Sequence, residues 1–64
     1  MRYRLAWTVL NLSEPRVKDI VGENITDAEN YAWNIISQGD LDGNIIEEVS
    51  IYDDKDNWIK NVGI

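Results

Sequence analysis

Three sets of residues in this 64-residue chain could do chemistry, and all three are built on carboxylates. The first is Asp40-Leu41-Asp42-Gly43-Asn44, which puts oxygen ligands at loop positions one, three and five, as an EF-hand loop opens. The rest departs from that pattern. Ile45 stands where the sharp turn needs Gly, Glu47 replaces an apolar residue at position eight, and Ile51 stands where a bidentate Glu closes the calcium shell. The plainer reading is a helix-to-strand turn in which Asp and Gly serve backbone geometry. The second set is any pair of acids working as a glycosidase-type acid and base. That work needs two carboxylates facing each other across a cleft, one of them desolvated, and a domain this small has little volume for a cleft. The third set is the row Glu47, Glu48, Asp53, Asp54 and Asp56 on a C-terminal hairpin, which is a binding surface and not a catalytic one.

Composition removes most other chemistry. The chain has no Cys and no His. Thiolate and imidazole zinc sites, disulfides, cysteine nucleophiles and Ser-His-Asp triads are therefore excluded. The four glycines, at positions 22, 39, 43 and 63, are scattered and make no phosphate-cradling loop. No catalytic residue, metal ligand or cofactor is assigned. Two glycosylation-type triplets, Asn11-Leu12-Ser13 and Asn24-Ile25-Thr26, read as chance matches in an Asn-rich chain.

Twelve acids against six bases leave a formal net charge of −6. The charge is uneven. Residues 1–32 carry five acids and four bases, whereas residues 33–64 carry seven acids and two bases. An acidic half repels nucleic acid and anionic lipid, so the expected partners are basic: a protein with a positive patch, or a cation. The seven acids between residues 40 and 56, laid along an eight-residue strand of about 26 Å, give one charge per about 3.7 Å. One strand of DNA carries a charge per about 3.4 Å of axis and the duplex one per about 1.7 Å, so the hairpin matches a single phosphate track. The bland alternative is solvated charge that keeps a small protein in solution.

The elements that must position these groups follow from periodicity. Leu, Ile and Val supply 18 of the 64 residues, enough for a folded chain, and no apolar run is long enough to cross a bilayer. Residues 3–12 read as a strand with Tyr3, Leu5, Trp7 and Val9 on one face. After the Ser13-Glu14-Pro15 turn, two readings stay open. Residues 16–25 form a second strand in a hairpin with the first, or residues 14–21 form a short helix capped by Ser13 and stopped by Gly22. Thr26-Asp27-Ala28-Glu29 reads as a capping box, followed by the stripe Ala28, Tyr31, Ala32, Ile35 and Ile36, with Gly39 as the stop. Residues 45–52 form a strand with Ile45, Val49 and Ile51 on one face and Ile46, Ser50 and Tyr52 on the other. A charged turn and a return strand over 58–62 close a hairpin. Trp7 is placed in the core, Trp58 on the sheet or at its edge, and Trp33 on the helix flank as an exposed anchor. The expected fold is α+β, a single domain ordered β-β-α-β-β, with a small antiparallel sheet and one helix across one face.

The opening Tyr3-Arg4-Leu5-Ala6-Trp7, the helix start Ile25-Thr26-Asp27-Ala28-Glu29, and the closing hairpin through Val49-Ser50-Ile51-Tyr52 and Trp58 cover most of the chain. In that pattern it resembles the short acidic ββαβ-type proteins of phages and mobile elements. Some of these are inhibitors of host defence, including anti-CRISPR proteins and DNA mimics that block nucleases or DNA glycosylases. The resemblance carries no site residue across. Taken with the missing Cys and His, the thin core and the acidic hairpin, it gives the expectation of a cytoplasmic protein-binding inhibitor that is not an enzyme. It would occupy a basic, nucleic-acid-binding surface through Glu47, Glu48, Asp53, Asp54, Asp56 and Trp33, with no direct nucleic-acid or membrane contact. The alternative is an assembly module that homodimerises by pairing sheet edges.

Overall fold

The computed structural model describes residues 1–9, 13–39 and 45–63. Five elements follow in order: β1 (Arg2–Trp7), β2 (Arg16–Val21), α1 (Ile25–Gln38), β3 (Glu48–Tyr52) and β4 (Trp58–Gly63). The strands form one antiparallel sheet in the order β2-β1-β3-β4. The small α+β domain expected from the pattern is the one observed. Residues 16–21 are a strand, not a helix. An eight-residue helix gains little by itself, whereas as a strand the segment pairs with all six residues of β1, from Arg2↔Val21 to Trp7↔Arg16.

Register assigns the faces. Tyr3, Leu5, Ile20, Val49, Ile51 and Val62 point to one side and, with Ile46, meet Ala28 and Ala32 of the helix in one buried cluster. Trp7, Ile25, Ile35 and Ile36 pack around it, partly buried. Ala28 and Ala32 are fully buried, so at the centre of its packed face the helix presents only methyl groups to the strands and can lie close over β1, β3 and β4. No described element covers the opposite face of the sheet, which displays Arg4, Asp19, Ser50, Tyr52 and Asn61.

Several boundaries differ from expectation, two of them for a clear packing reason. The helix N-cap is Asn24, not Thr26: Asn24 Oδ1 accepts the Asp27 amide at 3.3 Å, and Asp27 Oδ2 accepts the Glu23 amide at 2.7 Å. A related exchange thus operates two residues earlier, with Asp27 reaching the residue before the cap instead of the cap itself, and it brings Ile25 onto the packed face. Adding Ile25 rotates the apolar stripe away from Tyr31, leaving it about 90° from the centre at 100° per residue, and Tyr31 is exposed. The second difference concerns the two isoleucines before β3. Ile46 is buried (1% exposed) and Ile45 is exposed (81%), the reverse of their expected faces. Pairing begins only at Glu48, so the alternation of an extended strand does not reach back to them. The first strand likewise ends at Trp7, with Val9 still buried beyond it. Leu10 and Leu12 lie outside the described residues.

Gly39 caps the helix at φ 76°, ψ −179°, a conformation essentially confined to glycine, and its amide donates to the Ile35 carbonyl at 3.0 Å. Gly39→Ala is expected to lower unfolding free energy by about 1–3 kcal/mol in urea melts. Ala32→Leu, which wedges the helix off the sheet, is expected to cost a similar amount, about 1–3 kcal/mol. Unchanged midpoints in both variants would contradict this account of the helix seat.

Candidate functional site

The uncovered face of the sheet and its two ends hold the five acids singled out as a binding surface. Glu47 and Glu48 lie at the start of β3, both exposed. Asp53, Asp54 and Asp56 lie in the β3–β4 turn. Between them β3 runs Val49-Ser50-Ile51-Tyr52 without a charge, a gap of about 17 Å from Glu48 to Asp53 at about 3.3 Å per residue. The five acids therefore form two groups at opposite ends of the hairpin, not an evenly charged track. Asp40 and Asp42, and with them the calcium reading of that loop, lie outside the described residues. Among the described residues no three potential ligands group to hold a metal ion.

The turn acids have distinct roles. Asp53 turns inward: its Oδ1 accepts the amides of Lys55 at 2.8 Å and Asn57 at 2.9 Å, which folds the turn on itself. Asp56 adopts φ 62°, the left-handed region, and accepts from Arg4 Nη1 at 2.9 Å. Asp54 is exposed, with no ion pair or hydrogen bond among the described residues. Arg4 is the hub. Its Nε and Nη2 reach the two carboxylate oxygens of Asp19 at 2.8 and 3.4 Å while Nη1 holds Asp56. One guanidinium on β1 thus ties β2 to the far turn across the open face. Arg2, Arg4, Asp19, Asp53, Asp54 and Asp56 line, with Tyr3, a shallow cavity of about 100 Å³.

Trp58 belongs to the same face through a change of register. Ile51 pairs with Lys60 but Tyr52 pairs with Trp58, so Ile59 is an extra residue in β4. Strict alternation would put Trp58 on the helix side with Lys60 and Val62. The bulge re-aims it outward, where it is 59% exposed. Its Nε1 donates to Asn61 Oδ1 at 2.8 Å, and Asn61 Nδ2 donates to Glu48 Oε1 at 3.2 Å. The indole is thereby held in one orientation, linked to a carboxylate of the other acidic group. At the far end of the same strand pair Gly63 lets the backbones approach: a Cβ there would stand 2.6 Å from the Glu47 carbonyl oxygen.

Trp33 lies elsewhere, on the helix flank and 45% exposed. Its position agrees with the helical phase, but the structure does not bring it into the acidic face. Lys60, from the helix side of β4, donates to Glu29 at 3.2 Å. Glu29 thus serves as a bridge to β4 and not as a cap. Sequence reasoning missed Arg4, Asp19 and Asn61. The Arg4–Asp19 pair was readable once the first hairpin's register was known, whereas Asn61 depends on the bulge. Asn24, the one described acceptor of the two glycosylation-type triplets, uses its side chain as the helix cap. No protein-family model matches the chain, and neither a curated protein nor a solved structure matches it.

Asp19 and Asp53 titrate below the usual carboxylate range. The hydrogen bond from Arg4 lowers Asp19, and the amides of Asn57 and Lys55 lower Asp53, each against a smaller opposing effect of burial. The folded state therefore binds protons at these groups less readily than the unfolded state. Their contribution to stability is complete above the unfolded value of about 3.9 and is lost as the pH falls through the lower folded values. Asp53→Asn retains the Oδ1 acceptor without the charge. Its urea midpoint is expected to change less between about pH 6 and pH 3 than that of the parent chain. Equal changes in the two proteins would remove Asp53 from the acid response.

Proposed function

We propose that this chain is a small acidic protein-binding module, an inhibitor of the type carried by phages, that occupies a basic nucleic-acid-binding surface of a host protein in the cytoplasm. The observation that carries the reading is the open sheet face, which sets exposed carboxylates at both ends around an exposed tryptophan. Charge of this sign repels phosphate and attracts Lys and Arg. The separation of the two acidic groups, about 17 Å at about 3.3 Å per residue, suits a groove with two basic rims better than a continuous phosphate track. The reading is of a binder and not an enzyme: the cavity beside the carboxylates is shallow, and Arg4 ties down two of its aspartates. Electrostatic steering makes association fast and salt-sensitive.

Capture from host lysate is the test, using the immobilised chain at low salt. A nucleic-acid-binding protein is expected on the resin, released by high salt and displaced by competing DNA or RNA. Glu47→Lys with Glu48→Lys, and separately Asp54→Lys, should each reduce capture and slow association. Retention that resists both salt and charge reversal contradicts the mechanism.

The sheet edges favour a second reading. β2 and β4 have no outer partner among the described residues, and β4 carries a single charge, Lys60. An assembly module would pair β4 with a second copy. Sedimentation across a concentration series separates the two readings: a dimer whose dissociation unfolds the chain supports edge pairing, and a salt-independent monomer supports the first.

A further inference from the structure

We infer that the outward face of Trp58 is a docking position for an arginine side chain of the basic partner, a site that rests on the binding mode proposed above and gives it a centre. Four observations converge. The bulge at Ile59 turns Trp58 onto the open face, where strict alternation would have put it on the helix side. Bulges of this kind commonly re-aim a side chain for use. The indole N–H is already satisfied by Asn61, so the ring presents its π-face as its remaining means of recognition. The Trp58–Asn61–Glu48 relay holds the ring still before a partner arrives, which lowers the entropy cost of docking on it.

Charge supplies the fourth observation and selects the occupant. Glu48 keeps its second carboxylate oxygen without a partner among the described residues, and Asp54 stands exposed in the turn at the other end of the strand pair. A cation on the ring lies beside the Glu48 carboxylate, which the Asn61 relay links to the indole, and over the electron-rich face of the aromatic type that holds cations best. Arginine fits better than lysine, because its planar guanidinium stacks on the indole while its edge donates to carboxylates. The chain already holds one guanidinium by its edges on the same face. Arg4, in register with Tyr52, is clasped by Asp19 on one side and Asp56 on the other. Trp58, in register with Tyr52 from the opposite side, has no arginine of its own beside it in the sheet.

The test is a ¹⁵N NMR titration of the full chain at low salt with a short Arg-Gly repeat peptide, its Lys-Gly counterpart and a neutral citrulline-Gly control. The Arg peptide is expected to shift the Trp58 indole signal and the Asn61 side-chain amide, and to bind more tightly than the Lys peptide; the control should not bind. Trp58→Leu is expected to weaken Arg-peptide binding about three- to tenfold, with Trp58→Tyr intermediate. Asn61→Ala, which keeps the ring but releases it, should weaken binding by a smaller factor and serves if Trp58→Leu disturbs the fold. Arg-peptide affinity unchanged in the Trp58 and Asn61 variants overturns the site while leaving the basic-partner reading standing. No binding of either cationic peptide overturns both.

Discussion

Everything in this fold follows from a core that exists on one side of the sheet only. A single 14-residue helix covers β1, β3 and β4, seated by the methyl groups of Ala28 and Ala32 against Leu5, Val49 and Ile51. In a chain of 64 residues no second layer closes the other face among the described elements. The helix side is therefore committed to stability. The open side is left for polar and aromatic groups whose positions the strands set but whose identities packing does not dictate.

On that open side the charges do not act as a uniform field. Arg4 takes up two of the aspartates and uses them to hold β2 and the β3–β4 turn in place. Asp53 is consumed by its own turn. The exposed acids of the hairpin outside these ties are Glu47, Glu48 and Asp54, fewer than the net charge of −6 suggests, and Trp58 lies exposed on the open face. Exposed ion pairs such as those of Arg4 add little to stability, so their structural value lies in orienting the two carboxylates they hold.

The strands, the helix and their order were legible because short-range periodicity reports them directly. Tyr3 and Leu5 alternate with arginines, and Ala28, Ala32 and Ile35 recur at helical spacing. Residues 16–21 were ambiguous because Ser13, Pro15 and Gly22 are good helix punctuation, and only the full pairing with β1 resolves them as a strand. The cap was misplaced because Asn24-x-x-Asp27 and Thr26-x-x-Glu29 are chemically equivalent signals. Burial of Ile25 decides between them, and burial is a property of the assembled domain.

The sequence alone established an acidic α+β domain without thiol or imidazole chemistry, whose negative charge lies mainly in its second half. Those properties depend on composition and local period, which require no contact between distant residues. The tertiary structure decided how the charges are paired and which face of the sheet carries Trp58. Arg4 meets Asp56 across 52 positions of chain, and one extra residue in β4 carries Trp58 from the core side to the open side. A one-residue change of register reverses the face of a side chain, and register is set by pairing between strands.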